Sequence, residues 1–305
     1  LKGIFILHQN PDFKRYLETE RDYSPHTILA YTQDVEAFLL YLENEYKINT
    51  REIEWVELVS HKKVRSWMST LIGQNISKRS VARKIASVNA YFRYLLKTGQ
   101  AKQNPASRVS IPKSEKKLPV FLKQTETQNL FENNYFSDDF QGWRDRSILE
   151  VLYGCGLRRA EVVGLEFKHI HFSQGVLKVL GKGNKERIIP FGEHVRSSFM
   201  KYMQLCEEQG FDYTREFFLS DKGNKLYPRL VHNIVNRYIS LISTITQKSP
   251  HVLRHTFATH LLDEGADLNA IKEMLGHTSL AATQVYVHNS IAKLKKVYRQ
   301  AHPKA

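Results

Sequence analysis

The segment from Ser249 to Tyr286 holds the densest run of reactive side chains in the sequence. Ser249-Pro250 reads as a helix start with proline at the first helical position, so His251 falls in the first turn and Arg254 lies three residues later on the same face. The N–H groups and positive dipole end of such a turn favour an anion, and the planar fork of Arg254 suits two phosphate oxygens. Farther on, Gly276 can end a helix and His277 follows in the turn. Thr278 or Ser279 can cap the next helix, with Tyr286 about two turns along it.

Two other stretches can complete a phosphate pocket. Arg158 follows the Gly154-Cys155-Gly156 turn, and Glu161 stands at helical spacing to hold its guanidinium. Lys182 stands between glycines at a predicted hairpin tip, where a flexible ammonium can reach a substrate held elsewhere. His255 and His260 read as helix-packing residues. His251 and His255 share the spacing of the HExxH zinc pattern, but Val252 stands where that motif needs glutamate, and Arg254 would set a positive charge beside the metal. No carboxylate cluster suggests a two-magnesium nuclease. The residues point to a cationic pocket with a phenol and without metal or cofactor, a set suited to phosphoryl transfer by positioning and charge stabilisation.

Composition frames that pocket. The 305 residues include 45 Lys plus Arg against 31 Asp plus Glu, a formal charge of +14 that calls for an anionic partner such as nucleic acid. With 42% hydrophobic and 11% aromatic residues the chain can build packed cores, which excludes global disorder. Cys155 and Cys206 lack CxxC spacing, offer no metal framework and suit a reducing compartment. No stretch approaches the roughly 18 apolar residues of a membrane span, and the opening Leu1-Lys2-Gly3-Ile4-Phe5-Ile6-Leu7 is too short for a signal peptide. A cytoplasmic protein without a membrane partner is the expectation.

The positioning elements follow from periodicity. Ser24-Pro25 starts a helix with Ile28, Tyr31, Val35, Phe38 and Leu42 on one face; a second starts near Ser60, burying Val64, Trp67, Met68 and Leu71. A third runs from Ser77 to Gly99 over Val81, Ile85, Val88, Phe92 and Leu95. Its other faces hold Lys78, Arg79, Arg83, Lys84, Arg93 and Lys97, either a solvated face or one laid along DNA phosphates. Ile111-Pro112 through Pro119 cannot continue a helix. The predicted organisation is a helical DNA-binding domain at 1–110, a linker at 111–119 and a catalytic domain at 120–305. In the last, helices at Trp143–Tyr153, from Leu157, at Glu193–Gln209 and at Pro228–Ser243 surround a hairpin between Ile170 and Phe191, and short helices follow. The fold class is mainly α (α+β) with a small antiparallel sheet.

Four strings carry a resemblance to the tyrosine recombinases, the phage-integrase family, and within it to the Xer type. They are GCGLRRAEVVGL at 154–165, GKGNKER at 181–187, PHVLRHTFATHLLDEGADL at 250–268 and LGHTSLAATQVYVH at 275–288. Weaker likenesses are SPHTILAY at 24–31 and SVARKIASVNAYFRYL at 80–95, and LKKVYRQAHPKA at 294–305 resembles the tail of the chromosomal Xer proteins. The resemblance implies that Tyr286 is the nucleophile, leaving a 3′-phosphotyrosine and a free 5′-hydroxyl. Arg158, Arg254 and His277 would bind the nonbridging oxygens, Lys182 would be the general acid for the 5′-oxygen and His251 would assist proton transfer. Arg159 and Ala160 depart from the family pattern, which commonly has a small apolar residue and serine there.

The resemblance also implies a short, roughly dyad-symmetric double-stranded DNA site and a tetramer on two sites, homomeric or with a second recombinase. Its role would be resolving chromosome dimers at cell division, with an FtsK-like translocase as partner. The last helix, with Ile291, Leu294 and Tyr298 on one face, would dock on a neighbouring protomer; intramolecular packing is the other reading of that stripe. Alternatives are an integrase of a phage or conjugative element, a tyrosine-type topoisomerase, and a non-catalytic DNA-binding protein.

Overall fold

The computed structural model describes residues 11–111, 120–180, 186–276, 298 and 300–303. Its chain divides into two compact units, Leu1–Lys117 and Leu118–Ala305. All but the first residue of the predicted linker lies outside the described residues.

The first unit is helical: α1 (Pro11–Thr19), α2 (Pro25–Tyr46), α3 (His61–Gly73) and α4 (Lys78–Lys97). The Ser24 and Ser77 hydroxyls accept the N–H groups of Thr27 and Ser80, capping α2 and α4. The predicted apolar faces are buried, among them Val64, Trp67 and Leu71 of α3 and Val81, Ile85, Val88, Phe92 and Leu95 of α4. Helix α1 was not expected. It has nine residues and buries only Phe13 and Leu17, so the order comes from docking: the Phe13 ring lies 4.9 Å from that of Tyr91 and 5.5 Å from that of Tyr94.

The charged side of α4 divides in two. Lys78, Arg79 and Arg93 are exposed. Arg83, also exposed, and Lys84 pair with Asp34 of α2, a carboxylate only 2% exposed that also accepts the Ser87 hydroxyl at 2.9 Å, and Lys97 pairs with Glu20 of the turn after α1. A buried carboxylate survives because its oxygens are fully engaged.

The second unit contains α5 (Gln124–Glu132), α6 (Phe140–Gly154), α7 (Arg159–Val163), β1 (Ile170–His171), β2 (Val176–Leu180), β3 (Glu186–Pro190), α8 (Glu193–Glu208), α9 (Pro228–Ile242), α10 (Pro250–Asp263) and α11 (Leu268–Leu275). The strands form one antiparallel sheet in the order β1-β2-β3, with Lys178 opposite Ile188 and Leu177 opposite Ile189. The mainly helical fold with one small antiparallel sheet is as expected; β1 and α5, too short to show a period, were not.

Helix α6 is buried on every side, which fits its lack of a polar stripe from Ile148 to Tyr153. It packs against α7, α8, α9 and α10. The expected packing role of His260 holds: its ring meets the Tyr153 hydroxyl at 3.0 Å and the Leu122 carbonyl at 2.9 Å. Both cysteines are free and buried, and burial raises both thiols, Cys206 to about 11. No helix among the described residues is long and apolar enough to cross a membrane.

The tail returns to this unit. Tyr298 is 2% exposed and stacks on His302 with centroids 4.8 Å apart, in a cluster with Phe257, Leu261 and Leu275. Tyr298 thus packs within its own chain; Ile291 and Leu294 lie outside the described residues.

The Gly154-Cys155-Gly156 turn ties α6 to this packing. Gly156 has φ +61°, and a Cβ there would lie 2.5 Å from the Phe257 ring and 3.1 Å from Leu275. The strained dihedral and the overpacking act together. Gly156→Ala should lower stability by about 1–3 kcal/mol or more, measured by urea denaturation.

Candidate active site

The site is built outward from Glu161. Arg158 immediately precedes α7, and its backbone N–H donates to Glu161 Oε2 at 2.7 Å, so the glutamate satisfies an orphan donor at the helix start. The Arg158 side chain also reaches Glu161, with Nη1 2.8 Å from Oε1. The pairing read from their spacing is present, but it is not the carboxylate's main partnership.

That partner is Arg187 of β3. Its Nη1 and Nη2 donate to Oε1 and Oε2, both at 2.8 Å, in a two-pronged pair between side chains 8% and 7% exposed. Arg254 of α10 approaches the same carboxylate, with Nη1 3.9 Å from Oε2. Burial opposes the Glu161 charge, but the hydrogen bonds and charge of Arg187, joined by the hydrogen bonds of Arg158, hold its carboxyl below the usual range. For Arg254, burial first and then the charge of Arg158 push the guanidinium down to about 10, which leaves it cationic at neutral pH.

A second compensating element is the C-terminal end of α11. Arg187 Nε donates to the Met274 carbonyl at 2.7 Å, Arg254 Nη2 to the Leu275 carbonyl, and Arg158 Nη2 to the Gly276 carbonyl at 3.1 Å. These are orphan acceptors at the negative end of the helix dipole, and each receives one arginine. Gly276 closes α11 in the left-handed region, φ +63°, as its predicted role requires. Arg254 Nη1 also donates to the carbonyl of Gly156, anchoring α10 to the turn after α6.

Of the predicted site residues, Arg158 and Arg254 converge on this cluster. His251 lies in the first turn of α10 with part of its surface open to solvent, and its imidazole is held below the ordinary value of 6.5 by partial desolvation first, then by the charges of Arg159, Arg254 and Arg158. It therefore belongs to the same electrostatic neighbourhood. Lys182, His277 and Tyr286 lie outside the described residues. The elements next to two of them are defined: β2 and β3 flank the segment of Lys182, and Gly276 directly precedes His277.

Arg187 was missed. Its only sequence signal is a cation beside the glycine-rich tip, in a strand whose pairing places it opposite Val179. Nothing in that pattern says that it reaches α7 and α11, which are distant in sequence. Among the described residues no group of three or more His, Cys, Asp or Glu is placed to hold a metal ion.

Comparison with known proteins follows the same outline. Residues 120–293 match the phage integrase family, and residues 11–99 match the family's N-terminal SAM-like domain. The chain is 39% identical over 315 residues to tyrosine recombinase XerC of Chlorobaculum tepidum, covering 96% of this chain and 94% of the relative. It is 40% identical over 300 residues to XerC of Pelobacter propionicus, covering 98% and 97%. Among solved structures, the XerH site-specific recombinase bound to palindromic difH substrate aligns with a TM-score of 0.70 at 20% identity, over 94% of this chain and 84% of that one. The Tn1549 transposon integrase in complex with circular intermediate DNA aligns at 0.66 with 18% identity, over 93% and 97%. At those identities the structural likeness is one of fold.

The electrostatics of His251 can be checked directly. In the folded chain it should titrate below its unfolded value of 6.5. Because the unfolded chain then binds more protons, the His251 contribution to stability falls as pH drops through that value. An NMR titration should show the depressed midpoint, and Arg159→Gln should raise it. An unmoved midpoint in that variant would remove Arg159 from the neighbourhood.

Proposed function

The chain belongs to the phage integrase family as a Xer-type tyrosine recombinase, a DNA strand-transferring enzyme of site-specific recombination, and we propose that it works through Arg158, Lys182, His251, Arg254, His277 and Tyr286. The observation that carries this reading is the convergence of Arg158 and Arg254, from separate elements, on one cluster beside His251. Three guanidiniums against the single carboxylate of Glu161 leave an excess of positive charge, which suits a phosphodiester in its transition state.

In this reaction the phenolic oxygen of Tyr286 attacks the phosphorus and the bond to the 5′-oxygen breaks. The protein is left joined to the DNA 3′-phosphate. A phenol of pKa about 10 must lose its proton as it attacks, and His251, whose imidazole is held below its ordinary value, can assist that transfer. Lys182 delivers a proton to the departing 5′-oxygen. Arg158, Arg254 and His277 bind the nonbridging oxygens, whose charge grows in the transition state. The covalent bond conserves the phosphodiester energy, so a 5′-hydroxyl from the partner strand reverses the step without ATP. No metal or cofactor enters the scheme.

The substrate is double-stranded DNA carrying a short dyad-symmetric site, held by four protomers on two sites, all of one kind or with a second recombinase. The cellular role is resolution of chromosome dimers at cell division, in the cytoplasm, with an FtsK-like translocase as partner. What supports a chromosomal role over that of a mobile-element integrase is the match to XerC proteins along 96% and 98% of this chain.

The decisive test is a denaturing gel for a protein–DNA adduct on nicked suicide duplexes carrying candidate dyad-symmetric sites, with EDTA present throughout. The wild type should form the adduct and Tyr286→Phe should not, with DNA binding nearly unchanged. An adduct surviving in Tyr286→Phe would move the nucleophile elsewhere. Arg254→Ala should slow cleavage by the equivalent of about 3 kcal/mol or more, read from single-turnover rates. Affinity for the duplex should fall steeply as salt rises, because phosphate contacts release counterions.

A further inference from the structure

We propose that Arg187 is a positioning residue for strand cleavage: it holds the Glu161 carboxylate and the end of α11 so that Arg158 and Arg254 keep the positions from which they meet the phosphate. The inference rests on the recombinase reading above and adds a residue to it. Three observations on separate elements carry it.

The first is the choice of partner. Glu161 has two forked neighbours that the chemistry needs, Arg158 and Arg254, yet its bidentate partner is Arg187, at 2.8 Å on each oxygen. Arg158 takes one side-chain bond to the carboxylate, and Arg254 stays at 3.9 Å. A carboxylate prefers a two-pronged guanidinium pair when one is offered. Without Arg187, the nearest guanidiniums able to make that pair are Arg158 and Arg254, and either would have to turn from its present carbonyl partners, Gly276 for Arg158 and Gly156 and Leu275 for Arg254, towards Glu161.

The second is the grip on α11. Arg187 Nε donates to the Met274 carbonyl at 2.7 Å, and the stem of Arg187 lies against Gly276: a Cβ on that glycine would sit 3.0 Å from Arg187 Cδ and 3.3 Å from Nε. Gly276 is the last residue before His277. Arg187 therefore joins Arg254 and Arg158 in holding the helix end that precedes His277, and adds the packing of its stem to the hydrogen bonds all three make there.

The third is its own location. Arg187 stands on β3, five residues from Lys182, in the strand that leads away from that lysine's segment. It ties that strand to α7 through Glu161 and to α11 through Met274. Nothing else among the described contacts joins these three elements through one side chain. Arg187 touches the groups that hold the phosphate-binding residues and makes no claim on the substrate itself.

The test compares wild type, Arg187→Ala and Arg187→Lys as full chains, reading both the single-turnover cleavage rate on suicide duplexes and the dissociation constant for uncleavable duplex. Both variants should lose about 10²-fold in cleavage rate, the scale of a small misplacement of reacting groups, while duplex affinity changes less than about twofold. Lysine retains the charge and three donors on one nitrogen, but not the planar fork that reaches both Glu161 oxygens and the Met274 carbonyl, so it should not rescue. Guanidinium ion added to Arg187→Ala should restore at least about tenfold of the lost rate, and ammonium ion should not. Thermal melting reports folding; if the alanine variant does not fold, Arg187→Lys alone decides. Full cleavage by a folded Arg187→Lys, or a loss of duplex affinity equal to the loss of rate, overturns the proposal. A wild type that forms no Tyr286-dependent adduct would overturn the recombinase chemistry instead, so the two failures are distinguishable.

Discussion

One carboxylate, Glu161, allows three guanidiniums to occupy the same partly buried space. Like charges brought out of water repel strongly and lose hydration, and the depressed Arg254 guanidinium registers both costs. Glu161 answers with one negative charge inside the cluster, and α11 answers with three carbonyls at the negative end of its dipole. The compensation is incomplete in sign, since positive charge remains in excess. That remainder is what the proposed function assigns to an incoming phosphodiester.

The same compensation sets the geometry. Each arginine is tied at two or more points to different elements: Arg158 to α7 and the end of α11, Arg254 to the turn after α6 and to α11, Arg187 to α7 and α11. Long cationic side chains usually retain many rotamers, and multiple directed bonds remove that freedom before substrate arrives. Charge stabilisation by preorganised donors needs no rearrangement at the moment of reaction, which is why it contributes so much of the rate. A metal ion could supply the positive charge, but three forks held at fixed angles also supply orientation.

The surrounding fold is arranged to bring those elements together. Helix α6, buried along most of its length, is the axis of the second unit, and Gly156 beyond its exit leaves room for Phe257 of α10 and Leu275 of α11. The first unit solves a similar problem on its own terms: Asp34 is buried and offers its oxygens to Arg83, Lys84 and Ser87. Cations that a helical wheel assigns to a solvated or DNA-facing side can thus also serve the interior, as Arg83 and Lys84 do. Lys78, Arg79 and Arg93 remain on the exposed side.

Sequence alone determined what local rules control. The caps at Ser24 and Ser77, the apolar faces of α2, α3 and α4, the glycine end of α11 and the spacing of Arg158 with Glu161 follow from short-range periodicity and backbone freedom. The four strings at 154–165, 181–187, 250–268 and 275–288 also carried the resemblance to its family. Only the tertiary structure decided which charges face each other. Arg187 pairs with Glu161 across 26 residues and with Met274 across 87, and Asp34 meets Arg83 across 49, separations at which no periodic pattern carries information. The short α1 and α5 were hidden for a related reason: nine residues are too few to nucleate a helix by propensity, so packing against distant rings and helices decides that they form.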